Sequence, residues 1–565
     1  MPENCREKIV SEEYVDFLWR SNWSDEELAE LYPGICIQRI GEFYGVFYVN
    51  REFLQRNSGL EYPYEAFPGL YGLLETESLE ASNILQLQNQ SVLQLKGQGV
   101  ILGFIDTGID YTNRCFRDRA GNSRILELWD QTLQTGPTPE GIGYGSVYTR
   151  EEINRALASQ NPLDIVPSRD EQGHGTLVVS IAAGSLDENS DWIGAAPLAD
   201  IAVVKLKPAK AYLKQYFAVQ PDAVAYQEND IMLGVRYLNE LALRENKPLV
   251  LCLALGSNMG GHTGTAPISG QLNIIGSGPQ RCVVVAGGNE ANQGHHFYGT
   301  LQRGQEYQEA ELRVAEGEYG LMMELWGSTP DVLSVSMVSP TGEEIPTISS
   351  QNGSQRFDFL FEETVIYIEF KALEARSGDQ LIVIRMYSPT PGIWRLRIHG
   401  TDVVNGIFNI WLPIAGFISR ETEFLNSNPD ITLTEPANAE LPITVAAYQT
   451  ENNSIYIDSS RGFTRKGRIK PDITAPGVEV SAFGPGNRFT TLTGTSAAAA
   501  ITAGAAALML EWAVVRGRRP DLSSLEIKQL FIRGAKRNPA LTYPNRTWGY
   551  GTLDLYESFQ ALGRF

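Results

Sequence analysis

The sequence predicts an α/β protein built on a mostly parallel sheet with helices on both faces, preceded by a small α+β unit and interrupted by an all-β insertion. Three observations carry this. Apolar runs at 101–105, 201–205, 249–255 and 282–286 read as strands and alternate with helical stretches such as 230–244, a pattern that calls for crossover connections and parallel pairing. The run 497–515 is dominated by alanine and glycine, small side chains that let a helix pass through the centre of a close-packed protein. Between them, residues 300–432 switch to short strands with no helix. At 565 residues the chain exceeds one ordinary core, so two or three domains are expected.

The first unit, 1–76, has a helical pattern at 11–19 and again at 25–31, then strand-like runs at 35–39 and 42–49. It reads as a separate small domain. Residues 77–96 lead from it into the first strand of the main sheet, and the domain built on that sheet occupies 77–299 and 433–565. Within 300–432, segments 321–326, 332–338, 356–361, 365–370, 380–387, 392–399 and 407–412 alternate with turns such as Pro340-Thr341-Gly342 and Ser377-Gly378-Asp379. Such a series predicts a β-sandwich of the jelly-roll type.

Composition narrows the function classes. A formal charge of −21 disfavours nucleic acid and anionic membranes as partners. The acidic first twenty residues lack an apolar signal core, so cytoplasmic synthesis without a signal peptide is expected. The 497–515 run is long enough for a membrane span, but its small-residue character and Thr502 and Glu511 assign it to a protein core. Cys5, Cys36, Cys115, Cys252 and Cys282 are scattered without a C-x-x-C spacing, which implies no disulfide framework or zinc site and makes buried thiols the expectation. The adjacent His295-His296 lack a third ligand at suitable spacing, and no Asp-x-Asp-x-Asp-Gly loop is present, so neither metal nor cofactor is expected.

Four stretches carry the chemistry. Thr493-Gly494-Thr495-Ser496-Ala497 is a polar elbow opening into the small-residue helix, and a serine at a helix start sits where free N–H groups favour a developing anion. Taken alone it is equally a helix cap. Ile105-Asp106-Thr107-Gly108 ends a strand in an acid and a turn, Gly173-His174-Gly175-Thr176 precedes the apolar Leu177-Val178-Val179, and Ala286-Gly287-Gly288-Asn289 follows another strand. His174 follows Asp106 by 68 residues, Asn289 follows His174 by 115, and Ser496 follows Asn289 by 207. The last gap holds the insertion.

Together these stretches resemble the four signatures of the subtilisin-like serine proteases, over roughly 95–300 and 430–565. The resemblance implies that Ser496 attacks a peptide carbonyl, His174 acts as its base, Asp106 orients the imidazole and Asn289 donates to the oxyanion. It also implies that Ala254-Leu255-Gly256 and Ala286-Gly287-Gly288 flank the substrate, and that 1–76 is a prosegment rather than an unrelated accessory domain. The layout, with no signal peptide, an N-terminal prosegment and an all-β insertion between Asn289 and Ser496, is similar to that of the Csp germination proteases of clostridia. That likeness implies a spore-associated endopeptidase that activates a cortex-lytic hydrolase zymogen. It also implies self-cleavage after one of residues 74–77, with the freed prosegment kept as a bound inhibitor. The alternatives are a general intracellular subtilase and a pseudoprotease-like signalling module.

Overall fold

Every residue of the helix Thr495–Leu510 is fully buried, and the rest of the molecule is layered around it. The computed structural model describes residues 5–20, 27–28, 35–41, 43–51, 64–73, 80–89, 94–186, 192–348 and 353–562. The helix can lie this deep because its contact residues are small: a Cβ on Gly504 would come within 2.3 Å of Ala195 Cβ. The polar side chains in its middle and just past its end are satisfied in place. Thr502 Oγ1 donates to Ala498 O at 2.7 Å, and the Glu511 carboxylate, where the helix runs into a π turn, accepts the N–H groups of Lys96, Gly97 and Gln98. The apolar run is therefore a core helix whose end ties down the loop entering the main sheet.

Among the described residues that sheet has nine strands. From one edge the order is Ser454–Ile455, Ile443–Gln449, Arg281–Ala286, Leu249–Leu253, Ile101–Asp106, Asp200–Lys205, Ile125–Asp130 and Ser146–Thr149, with Ile473–Pro476 also paired to Ile443–Gln449. All pairs are parallel except those made by the two edge strands of that order. The central strands are buried along their whole length, which is why they read as continuous apolar runs. Helices His174–Ala183 and Thr495–Leu510 pack in one apolar cluster and Glu228–Arg244 and Pro267–Ser277 in another, one on each face of the sheet.

The N-terminal unit departs from expectation at 11–19. Tyr14–Arg20 is a strand, paired antiparallel to Tyr44–Asn50, which pairs with Cys36–Ile40. Its aromatic and β-branched residues favour a strand, and burial on both faces hides the alternation: Val15 and Phe17 enter a cluster shared with the 209–219 segment and the insertion, Leu18 the cluster on one face of the main sheet. Of the expected helix at 25–31, only residues 27 and 28 lie among the described ones. A second correction concerns the cysteines: Cys5 and Cys36 form a disulfide joining the helix Cys5–Val10 to a strand, while Cys115, Cys252 and Cys282 are buried thiols.

The unit docks on the main domain through a buried polar network. Asp16, fully buried, accepts from Lys210 Nζ at 2.5 Å, Gln227 Nε2 at 3.0 Å and Asn229 Nδ2 at 3.1 Å. Its chain then runs as the strand Leu70–Leu73 between Tyr226–Gln227 and Leu255–Gly256, antiparallel to both.

The insertion is a two-sheet β-sandwich. One sheet has six strands in the order His296–Thr300, Ile407–Trp411, Gly320–Gly327, Gln380–Tyr387, Val365–Lys371 and Gly353–Asp358; the other has five, Glu344–Ile348, Val332–Val338, Gly392–Asp402, Gln308–Val314 and Glu423–Phe424. Leu321, Met323 and Leu325 of one strand enter the sandwich core, whereas Met322 and Trp326 face the cluster shared with the N-terminal unit. The strands His296–Thr300, Gln308–Val314, Glu344–Ile348 and Glu423–Phe424 were not among those expected from the sequence. Three are edge strands and the fourth, Gln308–Val314, is charged on its outer face, so they lack a strong apolar signal.

Candidate active site

Asp106 is the last residue of the central strand Ile101–Asp106, and His174 is the first of the helix His174–Ala183. The two meet at the carboxyl end of the sheet. Asp106 Oδ1 lies 2.7 Å from His174 Nδ1 and also accepts the Thr107 N–H at 2.7 Å. With Nδ1–H donating to the carboxylate, Nε2 is the ring's acceptor. It faces Ser496 Oγ at 3.3 Å. All three side chains are buried.

A carboxylate that the sequence reading passed over holds His174 in place. Asp170 accepts the Gly173 N–H at 2.8 Å, the Thr176 N–H at 2.8 Å, the Thr176 hydroxyl at 2.6 Å and the Thr107 hydroxyl at 2.7 Å. It thus satisfies donors at the start of the His174 helix and links them to the residue after Asp106. Thr107 Oγ1 in turn accepts from Gly175 N at 2.9 Å. Gly175 has no room for a side chain, since a Cβ there would lie 2.2 Å from Gly108 O. The sequence clue was an acid four residues before the histidine.

Ser496 is the second residue of its helix, entered through Gly494 at φ +141°, so its N–H has no intrahelical acceptor. Its Oγ also lies 3.5 Å from Ala254 O. Asn289 Oδ1 accepts the Thr495 N–H at 3.1 Å, and Thr495 Oγ1 accepts the Gly288 N–H at 3.0 Å. The asparagine is therefore anchored through its oxygen to the residue before Ser496, leaving its NH₂ as the donating end.

The residues expected to flank a substrate divide by role. Leu255–Gly256 is the strand that pairs with Leu70–Leu73, matching Leu255 with Leu73 and Gly256 with Gly72. Ala286 closes its strand, and Gly287 is tied inward by its N–H to Val445 O at 2.9 Å and by its carbonyl to the Thr434 N–H at 3.0 Å. The processing stretch at 74–77 lies outside the described residues.

Neighbouring ionisable groups do not compete with Ser496. Burial, reinforced by the charge of Asp106, pushes the Cys252 thiol well above its usual range. Three of the other histidines are junction residues: His262 and His296 both stack on Trp411, with centroids at 4.0 and 4.8 Å, and burial lowers their pKa to about 3 and about 4. His295 Nδ1 contacts the buried Glu290 at 2.6 Å, and Glu290 also accepts from Asn258 Nδ2 at 2.9 Å and Ala415 N at 3.1 Å. The residue following Asn289 thus links the insertion to the main domain.

Comparisons with known proteins give the family and the fold. The subtilase family model matches residues 97–362 and 421–551, more than half of the chain. Serine protease AprX of Bacillus subtilis is 37% identical over 133 residues, 20% of this chain and 29% of AprX. The human membrane-bound transcription factor site-1 protease is 30% identical over 182 residues, 31% of this chain and 17% of that protein. These curated relatives are thus matched over less than a third of their own length. The solved structure of the Clostridium perfringens CspB protease superposes with a TM-score of 0.76 at 31% identity, covering 85% of this chain and 97% of that one.

Proposed function

The chain belongs to the subtilase family, and from that premise we propose that it is a serine endopeptidase of the Csp type. The observation that carries the proposal is the contact series Asp106 Oδ1 to His174 Nδ1 to Ser496 Oγ, at 2.7 and 3.3 Å, beside an asparagine anchored by its oxygen. On approach of a peptide carbonyl, Ser496 Oγ adds to carbon while its proton passes to His174 Nε2. Asp106 stabilises the resulting imidazolium and holds the tautomer. The carbonyl oxygen becomes an anion that receives the Asn289 NH₂ and the Ser496 N–H. The imidazolium then protonates the leaving amine, and water repeats the sequence on the acyl-enzyme.

The proposal extends to the N-terminal unit. We take 1–76 to be a prosegment whose tail, Leu70–Leu73, sits in the cleft as a substrate would, paired with Leu255–Gly256. The protease cleaves itself after one of residues 74–77. The Asp16 network supports retention of the freed unit as an inhibitor, because dissociation would break the buried Asp16–Lys210 ion pair and the bonds of Gln227 and Asn229 to the same carboxylate. The division at 77–299, 300–432 and 433–565, the jelly-roll topology of the sandwich and a spore-associated location belong to the same reading. Its substrate is a cortex-lytic hydrolase zymogen activated during germination, which the likeness to the CspB protease supports.

N-terminal sequencing of the purified protein tests this. Wild type yields two co-purifying chains, near 1–76 and 77–565, and a fluorophosphonate labels Ser496; Ser496→Ala yields one unlabelled chain. A single intact wild-type chain, or a Ser496→Ala protein cut at the same bond, rules out self-processing by this serine. Incubation with a cortex hydrolase zymogen against casein separates the germination role from general proteolysis, and equal cleavage of both removes that role.

A further inference from the structure

We infer that the insertion roofs the substrate cleft through Ile414 and Phe417, and that this roof makes the protease require glycine at the substrate residue lying opposite Gly256. The inference rests on the serine endopeptidase reading and takes Leu70–Leu73 as the trace of a bound substrate strand. That strand pairs antiparallel with Leu255–Gly256 on one side and Tyr226–Gln227 on the other, which sets Gly72 opposite Gly256. Both walls belong to the main domain. The roof between them belongs to the insertion.

A Cβ on Gly72 would lie 2.6 Å from Ile414 Cδ1, 3.8 Å from Ile414 Cγ1 and 3.5 Å from Phe417 Cε1. The first distance is a collision and the other two are ordinary contacts, so a single methyl group decides what fits. Gly72 lies outside the positive-φ region. Its backbone conformation is therefore open to any residue, and only the missing room calls for glycine.

The roof is tied to the catalytic machinery. The Ala415 N–H, next to Ile414, donates to Glu290 Oε1 at 3.1 Å, and Glu290 directly follows Asn289. The Leu412 N–H donates to His295 O at 2.9 Å, and His295 Nδ1 meets the other oxygen of Glu290 at 2.6 Å. The Phe417 N–H donates to Ile414 O at 3.1 Å, which holds the two apolar residues in one turn. Ile414 and Phe417 are buried and pack in one cluster with Leu70, Met259 and Trp326. A larger side chain at the Gly72 position would have to push Ile414 into that cluster or lift a segment anchored beside the oxyanion donor, whereas glycine needs no movement.

The full chain tests this on its own cleavage, followed during timed cell-free synthesis. Gly72→Ala is expected to slow self-cleavage by about 10-fold and Gly72→Val by about 100-fold. Ile414→Val, which removes only Cδ1, is expected to shrink the Gly72→Ala penalty to about 2-fold or less, and Ile414→Ala the Gly72→Val penalty to about 10-fold, each measured against the same Ile414 variant carrying Gly72. Separate substrates are expected to follow the same order. Quenched peptides Leu-Tyr-Gly-Leu-Leu-Glu-Thr-Glu and its versions with alanine or valine in place of glycine differ by the same ratios in kcat/KM, which a retained N-terminal unit leaves unchanged because it competes with all three alike. Gly72→Val cut as fast as wild type overturns the inference, as does a peptide series cleaved without preference. So does a Gly72→Ala penalty of equal size with and without Ile414→Val, which would place the loss in folding of the N-terminal unit. A wild-type chain that stays intact and leaves every peptide uncut removes the endopeptidase reading and this inference with it.

Discussion

At the scale of single residues, the site depends on side chains whose second function is to hold another group still. Asn289 is the clearest case. Its oxygen is engaged by Thr495 N at 3.1 Å, so its amide nitrogen has a fixed direction before substrate arrives, and a donor that needs no reorganisation acts mainly on the transition state. Asn289→Ala is expected to lower kcat by about 100-fold or more, roughly 3–4 kcal/mol, with little change in KM. Steady-state kinetics on a peptide substrate check this, and a loss confined to KM would assign Asn289 to ground-state binding. Asp170 works one step further out, fixing the helix start that carries His174 through four accepted hydrogen bonds.

At the scale of elements, the strand Leu255–Gly256 is continued by Ser257, which pairs with a buried acid. Glu435 accepts from Ser269 Oγ at 2.7 Å and Gly264 N at 3.2 Å, yet burial outweighs these bonds and pushes its pKa up to about 7. The native state therefore holds a proton that the unfolded chain releases near 4.5. The associated stability is fully present below about pH 4.5 and is lost as pH rises through about 7, an effect on the order of 3 kcal/mol. Glu435→Gln, made in the Ser496→Ala background to keep one chain, is expected to unfold at a higher temperature than its parent at pH 8. At pH 4.5 it is expected to have no advantage. A difference of the same size at both values would show that Glu435 is not the titrating group.

At the scale of the whole molecule, the insertion enters and leaves at one point: Phe424 N donates to Gly294 O at 2.9 Å. A short linker can therefore replace the sandwich without stretching the main domain. What would be lost is the apolar cluster in which Met322, Trp326, Leu381 and Trp411 of the sandwich pack with Val15, Phe17 and Leu70 of the N-terminal unit and Phe217 and Met259 of the main domain. Deleting 296–424 is expected to leave a folded main domain that trypsin cuts several-fold faster than the parent, beginning in the N-terminal unit. Equal resistance of the two proteins would make the sandwich a recruitment domain rather than a clamp.

The sequence by itself determined the parallel sheet, the central helix, the place of the insertion and the residues that meet at the sheet's carboxyl end. Each is written in a short local pattern: an apolar strand ending in Asp106, a Gly-His-Gly-Thr run before apolar residues at 177–179, a small-residue helix opening at Ser496. Only the tertiary structure decided what depends on contacts between distant segments. Residues 14–20 became a strand because two different partners bury its faces. Cys5 and Cys36 became a disulfide because a helix packs on a strand 31 residues away. Thr434 and Glu435 came to lie between segments distant in sequence, bonded to Gly287 on one side and Ser257 on the other. Periodicity and caps act within a few residues and are legible in order along the chain. Register, burial on a second face and the roof of a cleft are set by which surfaces fold together, and a linear sequence does not state them.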